Sequence, residues 1–146
     1  MKNFIISTLL VVAITTSAFA TGESNVSYFV LNTFKNEFRG ATNVNWTSRP
    51  EYAKATFLQD NRKMEVFYNS SGTLLAVSKT IQIDELPTMA KRTFAKRYEG
   101  YIVKEAIQFD GSEEQSFYIS AENDKENLVI KVDGSAHVSV FKRTRK

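Results

Sequence analysis

Two stretches of the chain share one skeleton. Phe34 to Trp46 reads FKNEFRGATNVNW, and Phe94 to Ala106 reads FAKRYEGYIVKEA. In each, two aromatics four residues apart close an apolar helical face, a glycine follows, and a strand pattern opens. Glycine just past a helix supplies the left-handed residue that ends it, so Gly40 and Gly100 are expected in that conformation. The correspondence extends along the chain. Phe34, Phe38 and Gly40 meet Phe94, Tyr98 and Gly100 at an offset of 60. Ala55, Phe57, Val66, Phe67, Tyr68 and Gly72 meet Phe117, Ile119, Leu128, Val129, Ile130 and Gly134 at an offset of 62. An internal repeat constrains architecture before any single element does.

The first unit, about residues 24–82, opens on Ser24 or Asn25 as a helix cap. Val26, Phe29, Val30, Thr33, Phe34, Glu37 and Phe38 then follow three-and-four spacing, which gives one apolar helical face. Strands are expected at Val44–Thr47, Tyr52–Gln59, Arg62–Tyr68 and Thr73–Ile81, with turns at Asp60-Asn61 and Asn69–Gly72. In the second unit, about residues 84–142, Pro87 suits a first helical turn. Leu86, Ala90, Phe94 and Tyr98 form its stripe, with Met89 and Thr93 beside them. Strands are expected at Tyr101–Phe109, Gln115–Ala121, Asn127–Val132 and Ala136–Phe141. An amphipathic helix needs a sheet to cover, and an alternating strand needs one buried face. The expected fold class is therefore α+β: a tandem repeat of one helix plus a four-stranded antiparallel meander, with both helices on one face of the sheet.

Residues 1–20 differ in kind from the rest. A positive start (Met1-Lys2-Asn3), an apolar run from Phe4 to Ile14 and the small-x-small Ala18-Phe19-Ala20 are the three regions of a secretory signal peptide. The run is short for a membrane span, which needs about 20 apolar residues. Cleavage after Ala20 would send the product to the periplasm or outside the cell. The chain of 146 residues has no cysteine, so no disulfide forms there and no lipid anchor is built at the cleavage site. Without Lys2 there are 18 basic residues against 16 acidic, a net charge of about +2, too balanced for a nucleic-acid binder.

Catalytic and metal chemistry finds little support. His137 is the sole histidine and lies in a strand pattern without a thiol partner. Zinc would need a Cys/His set that the chain cannot supply. Asp110-Gly111-Ser112-Glu113-Glu114 lacks the ligand spacing of a twelve-residue calcium loop and reads as a solvated turn. No glycine loop for phosphate and no carboxylate-pair motif stands out. No catalytic residue, metal ligand or cofactor is assigned. Lys91, Arg92, Lys96 and Arg97 make a basic helical face, and Lys142, Arg143, Arg145 and Lys146 a basic tail. Such runs ordinarily mark solvated surface, and otherwise attract acidic lipid or an acidic partner. The remaining signal is aromatic. Tyr52, Phe67 and Tyr118 point opposite to the strand residues assigned to the helix-covered core, and Trp46 starts the first strand. Exposed large aromatics anchor partners, so these four are the candidate binding residues. A second core layer or a dimer contact is the other reading of the same parity.

The order of these motifs resembles a known group. A leader precedes a helix ending Phe-x-x-x-Phe-x-Gly-Ala. Asn43-Val44-Asn45-Trp46, Ala55 and Phe57, and Tyr68 and Gly72 follow, then Leu86-Pro87 and Tyr98-Glu99-Gly100-Tyr101. This resembles the PepSY-like family of exported bacterial proteins, common in Bacteroidetes and similar in structure to beta-lactamase inhibitor proteins. The resemblance implies tandem helix-plus-sheet units and a non-catalytic role in gripping an enzyme or peptidase through the open sheet face. The chain departs from true beta-lactamase inhibitors in lacking their cysteines and in being shorter, and no binding residue carries over. The expected function is thus an exported non-catalytic module docking a protein or peptide partner through the open sheet face. An envelope-associated protein using the basic tail, and a hydrolase with an unrecognised site, are the alternatives.

Overall fold

The computed structural model describes residues 23–146, so the expected leader at 1–20 lies outside the described residues. Each half opens with a 3-10 turn, Glu23–Asn25 and Ile83–Glu85, followed by a ten-residue helix, α1 (Tyr28–Glu37) and α2 (Thr88–Arg97). Four strands follow each helix: β1 (Thr42–Ser48), β2 (Ala53–Gln59), β3 (Arg62–Tyr68) and β4 (Leu74–Thr80), then β5 (Ile102–Gly111), β6 (Gln115–Glu122), β7 (Glu126–Val132) and β8 (Val138–Arg145). All eight pair antiparallel in one sheet, in chain order. The halves join through β4 and β5, from Ala76 opposite Gly111 to Thr80 opposite Ile107.

Both helices cover the same face. Val26, Val30 and Phe34 pack on Ala55, Phe57, Val66 and Tyr68; Leu86, Ala90 and Phe94 pack on Phe117, Ile119, Leu128 and Ile130. The buried row on each helix is strictly four-spaced. Phe29 and Met89, each one residue before a buried position, therefore turn outward and are exposed, contrary to the three-and-four reading. Phe34 meets Trp46 and Phe57 edge-on, with ring centroids 5.2 and 5.1 Å away. Burying an aromatic of this size contributes about 2–3 kcal/mol.

The helix ends depart from expectation in two places. Residues 23–25 are taken up by the 3-10 turn, so the cap of α1 is Ser27 rather than Ser24 or Asn25: its hydroxyl accepts from the Val30 N–H (3.4 Å) and donates to the Ser70 carbonyl (3.1 Å). At the other end, Phe38 and Tyr98 donate their N–H groups to Phe34 and Phe94, and Ala41 and Tyr101 close the next turn onto Phe38 and Tyr98, both at 3.1 Å. Gly100 takes φ +83°, as a left-handed stop should, but Gly40 does not adopt positive φ; the first half places its left-handed residue at Asn43 instead, φ 53°. The same closing hydrogen bond therefore forms with or without a left-handed glycine.

The turns explain the polar clusters between strands. Asp60 and Asn61 both have positive φ (50° and 61°), the pattern of a two-residue type I′ hairpin. Asn69 folds its carboxamide oxygen back on the N–H groups of Ser71 and Thr73, and Asp133 does the same with Ser135 and His137. Gly72 and Ala136 then carry the positive φ, 85° and 65°. The counterpart of Gly72 is thus Ala136, not Gly134 as the offset of 62 implied.

Candidate binding face

Strand alternation puts a second set of side chains on the face that the helices leave bare. Reading across the registers, Lys54 lies opposite Phe67, Phe67 opposite Ala76, Ser78 opposite Phe109, Ile107 opposite Tyr118 and Tyr118 opposite Lys131. Phe67, Ala76, Ile107, Phe109 and Tyr118 form one apolar cluster, with Tyr52, Leu75 and Val129 packed around it. No helix residue belongs to that cluster.

An ion pair stands on each side of this floor. Lys54 Nζ lies 3.0 Å from Glu65 Oε1 with the side chains 5% and 8% exposed, and the Thr56 hydroxyl donates to the same oxygen at 3.2 Å. At the β6–β7 side, Lys131 Nζ lies 2.7 Å from Glu114 Oε1, which also accepts from the Ser116 hydroxyl at 3.1 Å. The hydrogen bond from Lys131 holds the Glu114 carboxyl below its ordinary range, and the same bond raises Lys131. Burial pushes the Tyr52 and Tyr118 phenols up. The arrangement supplies apolar contact area bordered by fixed charge.

The four sequence candidates fall in different environments. Trp46 is 3% exposed and packs on Phe34 in the helix-covered core, so it is not part of this face. Its strand neighbour across the ladder is Ala55, which fixes it to the helix side. Phe67 lies on the bare face but is only 1% exposed, because Lys54 and Ala76 flank it and Tyr52 lies edge-on at 5.7 Å. It is a floor residue rather than an exposed anchor. Tyr118 is likewise buried, while Tyr52 is half-exposed. Phe141 was missed. It is 36% exposed and meets the Tyr118 ring edge-on at 5.4 Å. The register shift between Val129 and Ile130 on the β7–β8 ladder displaces β8 by a residue, which simple alternation cannot anticipate.

Other sequence features resolve into structure. The basic tail is the edge strand β8 and its end, with Arg143 3.1 Å from Glu126 and Lys146 3.2 Å from Glu122. Of the basic helical face, Arg97 donates to the Val138 carbonyl and Lys91 to the Asp84 carbonyl, leaving Arg92 and Lys96 outward. His137 uses its backbone N–H to complete the Asp133 turn. The acidic run separates: Asp110 accepts from Gln108 and Gln115, whereas Glu114 turns to Lys131. Among the described residues no helix is long and apolar enough to cross a membrane.

No protein-family model and no curated protein matches the chain. Solved structures do. A BLIP-like protein from Bacteroides fragilis superposes with a TM-score of 0.67 at 17% identity, covering 82% of this chain and 86% of that one. A protein from Bacteroides eggerthii, provisionally described as periplasmic, gives 0.73 at 14% identity, covering 82% and 88%. A DUF2874 family protein from Bacteroides uniformis gives 0.71 at 16% identity, covering 82% and 89%. At these identities the likeness is one of fold: this chain has the α+β fold of BLIP-like proteins.

Proposed function

We propose that the protein is an exported, non-catalytic binding module of PepSY-like type that docks a protein or peptide partner on the helix-free sheet face. The observation that carries this reading is the apolar floor of Phe67, Ile107, Phe109 and Tyr118, assembled wholly from strands and bordered by paired charges. Tyr52 and Phe141 are the accessible aromatics at its rim and would make first contact, with Phe67 and Tyr118 holding them from beneath. Large aromatics seated in a desolvated surround are the usual anchors of protein interfaces. The BLIP-like name of the Bacteroides fragilis neighbour supports protein recognition, and the provisional periplasmic description of another neighbour, with the leader-like residues 1–20, supports export.

The two halves are read as copies of one unit, about residues 24–82 and 84–142. Support comes from matching helix ends, with Phe34–Phe38 and Phe94–Tyr98 ring centroids 5.5 and 5.4 Å apart, and from the matching Asn69 and Asp133 turns.

Capture of partners from periplasmic extract by wild-type protein and by the Tyr52→Ala/Phe141→Ala variant tests the docking face. Binding of a captured partner should weaken at least tenfold in the variant, about 1.4 kcal/mol. If every captured partner is held with unchanged affinity, the docking face lies elsewhere.

A further inference from the structure

The seam between the halves is incomplete. β4 pairs with β5 only as far as Thr80 opposite Ile107, and the last bond across runs from the Ile81 N–H to the Ala106 carbonyl at 2.9 Å. The chain then turns away through Gln82 into the Ile83–Glu85 turn. β5 starts earlier, at Ile102, and pairs with β6 from Ile102 opposite Glu122, with a register shift between Val103 and Glu105. Residues Ile102 to Glu105 therefore have a strand neighbour on the β6 side alone. Beside them lies a cleft of about 800 Å³ whose walls include Thr80, Gln82, Asp84, Val103, Lys104 and Glu105.

A free length of β edge is a template for another extended chain. The outer edge strand β8 is blunted by Lys142, Arg143 and Arg145. The β5 edge is instead sheltered in the cleft, in the lane that β4 vacates. Its four residues span about 13 Å at roughly 3.3 Å per residue, enough for a short segment. Exposed Ile102 offers that segment an apolar contact.

Charge selects the occupant. Lys104 is neutralised by Glu122 at 2.6 Å. Lys91 reaches the Asp84 backbone carbonyl at 3.1 Å, not its carboxylate. Among the described residues no salt bridge engages the carboxylates of Asp84 or Glu105, so the cleft is locally negative in a chain of net charge +3. We propose that the cleft beside Ile102–Glu105 binds a short extended peptide bearing lysine or arginine. The peptide adds antiparallel to β5 in the lane beyond Thr80, with its backbone on the β5 edge and its basic side chain toward Glu105 and Asp84.

The test is an NMR titration of the ¹⁵N-labelled protein with the blocked pentapeptide Thr-Lys-Val-Lys-Thr. Controls are Thr-Glu-Val-Glu-Thr and a backbone N-methylated form of the lysine peptide. Shifts should appear in the amides of Ile81–Asp84 and Ile102–Glu105, and neither control should bind. The Asp84→Asn/Glu105→Gln variant, whose own spectrum reports its folding, should bind at least tenfold more weakly. No shift at millimolar lysine peptide overturns the proposal, as does equal binding of the acidic or N-methylated peptide. Shifts confined to Tyr118 and Phe141 also overturn it and would point to the helix-free face instead. The Asp84→Asn/Glu105→Gln and Tyr52→Ala/Phe141→Ala variants share no residue, so the two readings are tested separately.

Discussion

Lys54 and Glu65 bury opposite charges beside Phe67, at 3.0 Å with almost no exposure. A pair in this setting adds little net stability because both ions lose their hydration, yet removing one partner strands the other. Glu65→Ala is therefore expected to lower the unfolding free energy by about 3–5 kcal/mol, read from urea denaturation. The Lys54→Met/Glu65→Leu double variant should lose far less, and equal losses would mean that the ion pair itself stabilises. Glycines separate in the same way. Gly72 has φ +85°, and a Cβ there would sit 3.1 Å from the Phe29 backbone, whereas a Cβ on Gly40 meets nothing within 4 Å. Gly72→Ala should cost about 2 kcal/mol, since a left-handed non-glycine residue alone costs about 1–2. Gly40→Ala should be neutral or stabilising by up to about 1 kcal/mol. Sequence alone made Gly40 and Gly100 look alike, because position after an apolar run suggests a stop but does not report φ, and only Gly100 has a positive one.

At the level of elements, local pattern carried far. β3 has the bounds that alternation implied, and the other strands shift by a few residues at their ends. What pattern missed has physical causes. Three-and-four spacing allowed Phe29 and Met89 an inward place, but the sheet admits only the row Val26–Val30–Phe34 and its counterpart Leu86–Ala90–Phe94. The tail read as a basic run because Arg143 and Lys146 find their acidic partners, Glu126 and Glu122, only through sheet pairing. The cap of α1 moved because a 3-10 turn precedes it, which composition does not reveal. Ser27 both caps α1 and ties it to the β3–β4 turn through Ser70. Ser27→Ala should therefore cost about 1 kcal/mol in urea denaturation, with faster amide exchange at Val30 as the local sign. An unchanged exchange rate at Val30 would show that the serine acts on the turn and not on the helix.

Across the whole molecule, exposed carboxylates stitch together parts that the two cores leave separate. Glu85 accepts from the Gln82 N–H and from Arg62 at the start of β3, so the linker is fastened to the first half. Glu122 holds both Lys104 and Lys146, tying β5 and the chain end to β6. Glu114 holds Lys131, and Asp133 accepts from Ser135 and His137. Each of these hydrogen bonds favours the ionised form, and each carboxyl is held below its ordinary value, 4.5 for the glutamates and 3.8 for Asp133. Because the folded values are depressed, the unfolded chain takes up protons first as pH falls. The stabilisation is thus fully present above pH 4.5 and is lost progressively below it, through the lowered folded values. The urea midpoint should be level above that pH and fall beneath it. All four groups are solvent-facing, so screening matters: near 1 M salt, where the Debye length is about 3 Å, the acid slope should flatten. In a Glu85→Gln/Glu122→Gln variant the slope should be shallower at low salt as well. A variant whose slope matches the wild type would show that Glu85 and Glu122 are not the source of the acid sensitivity.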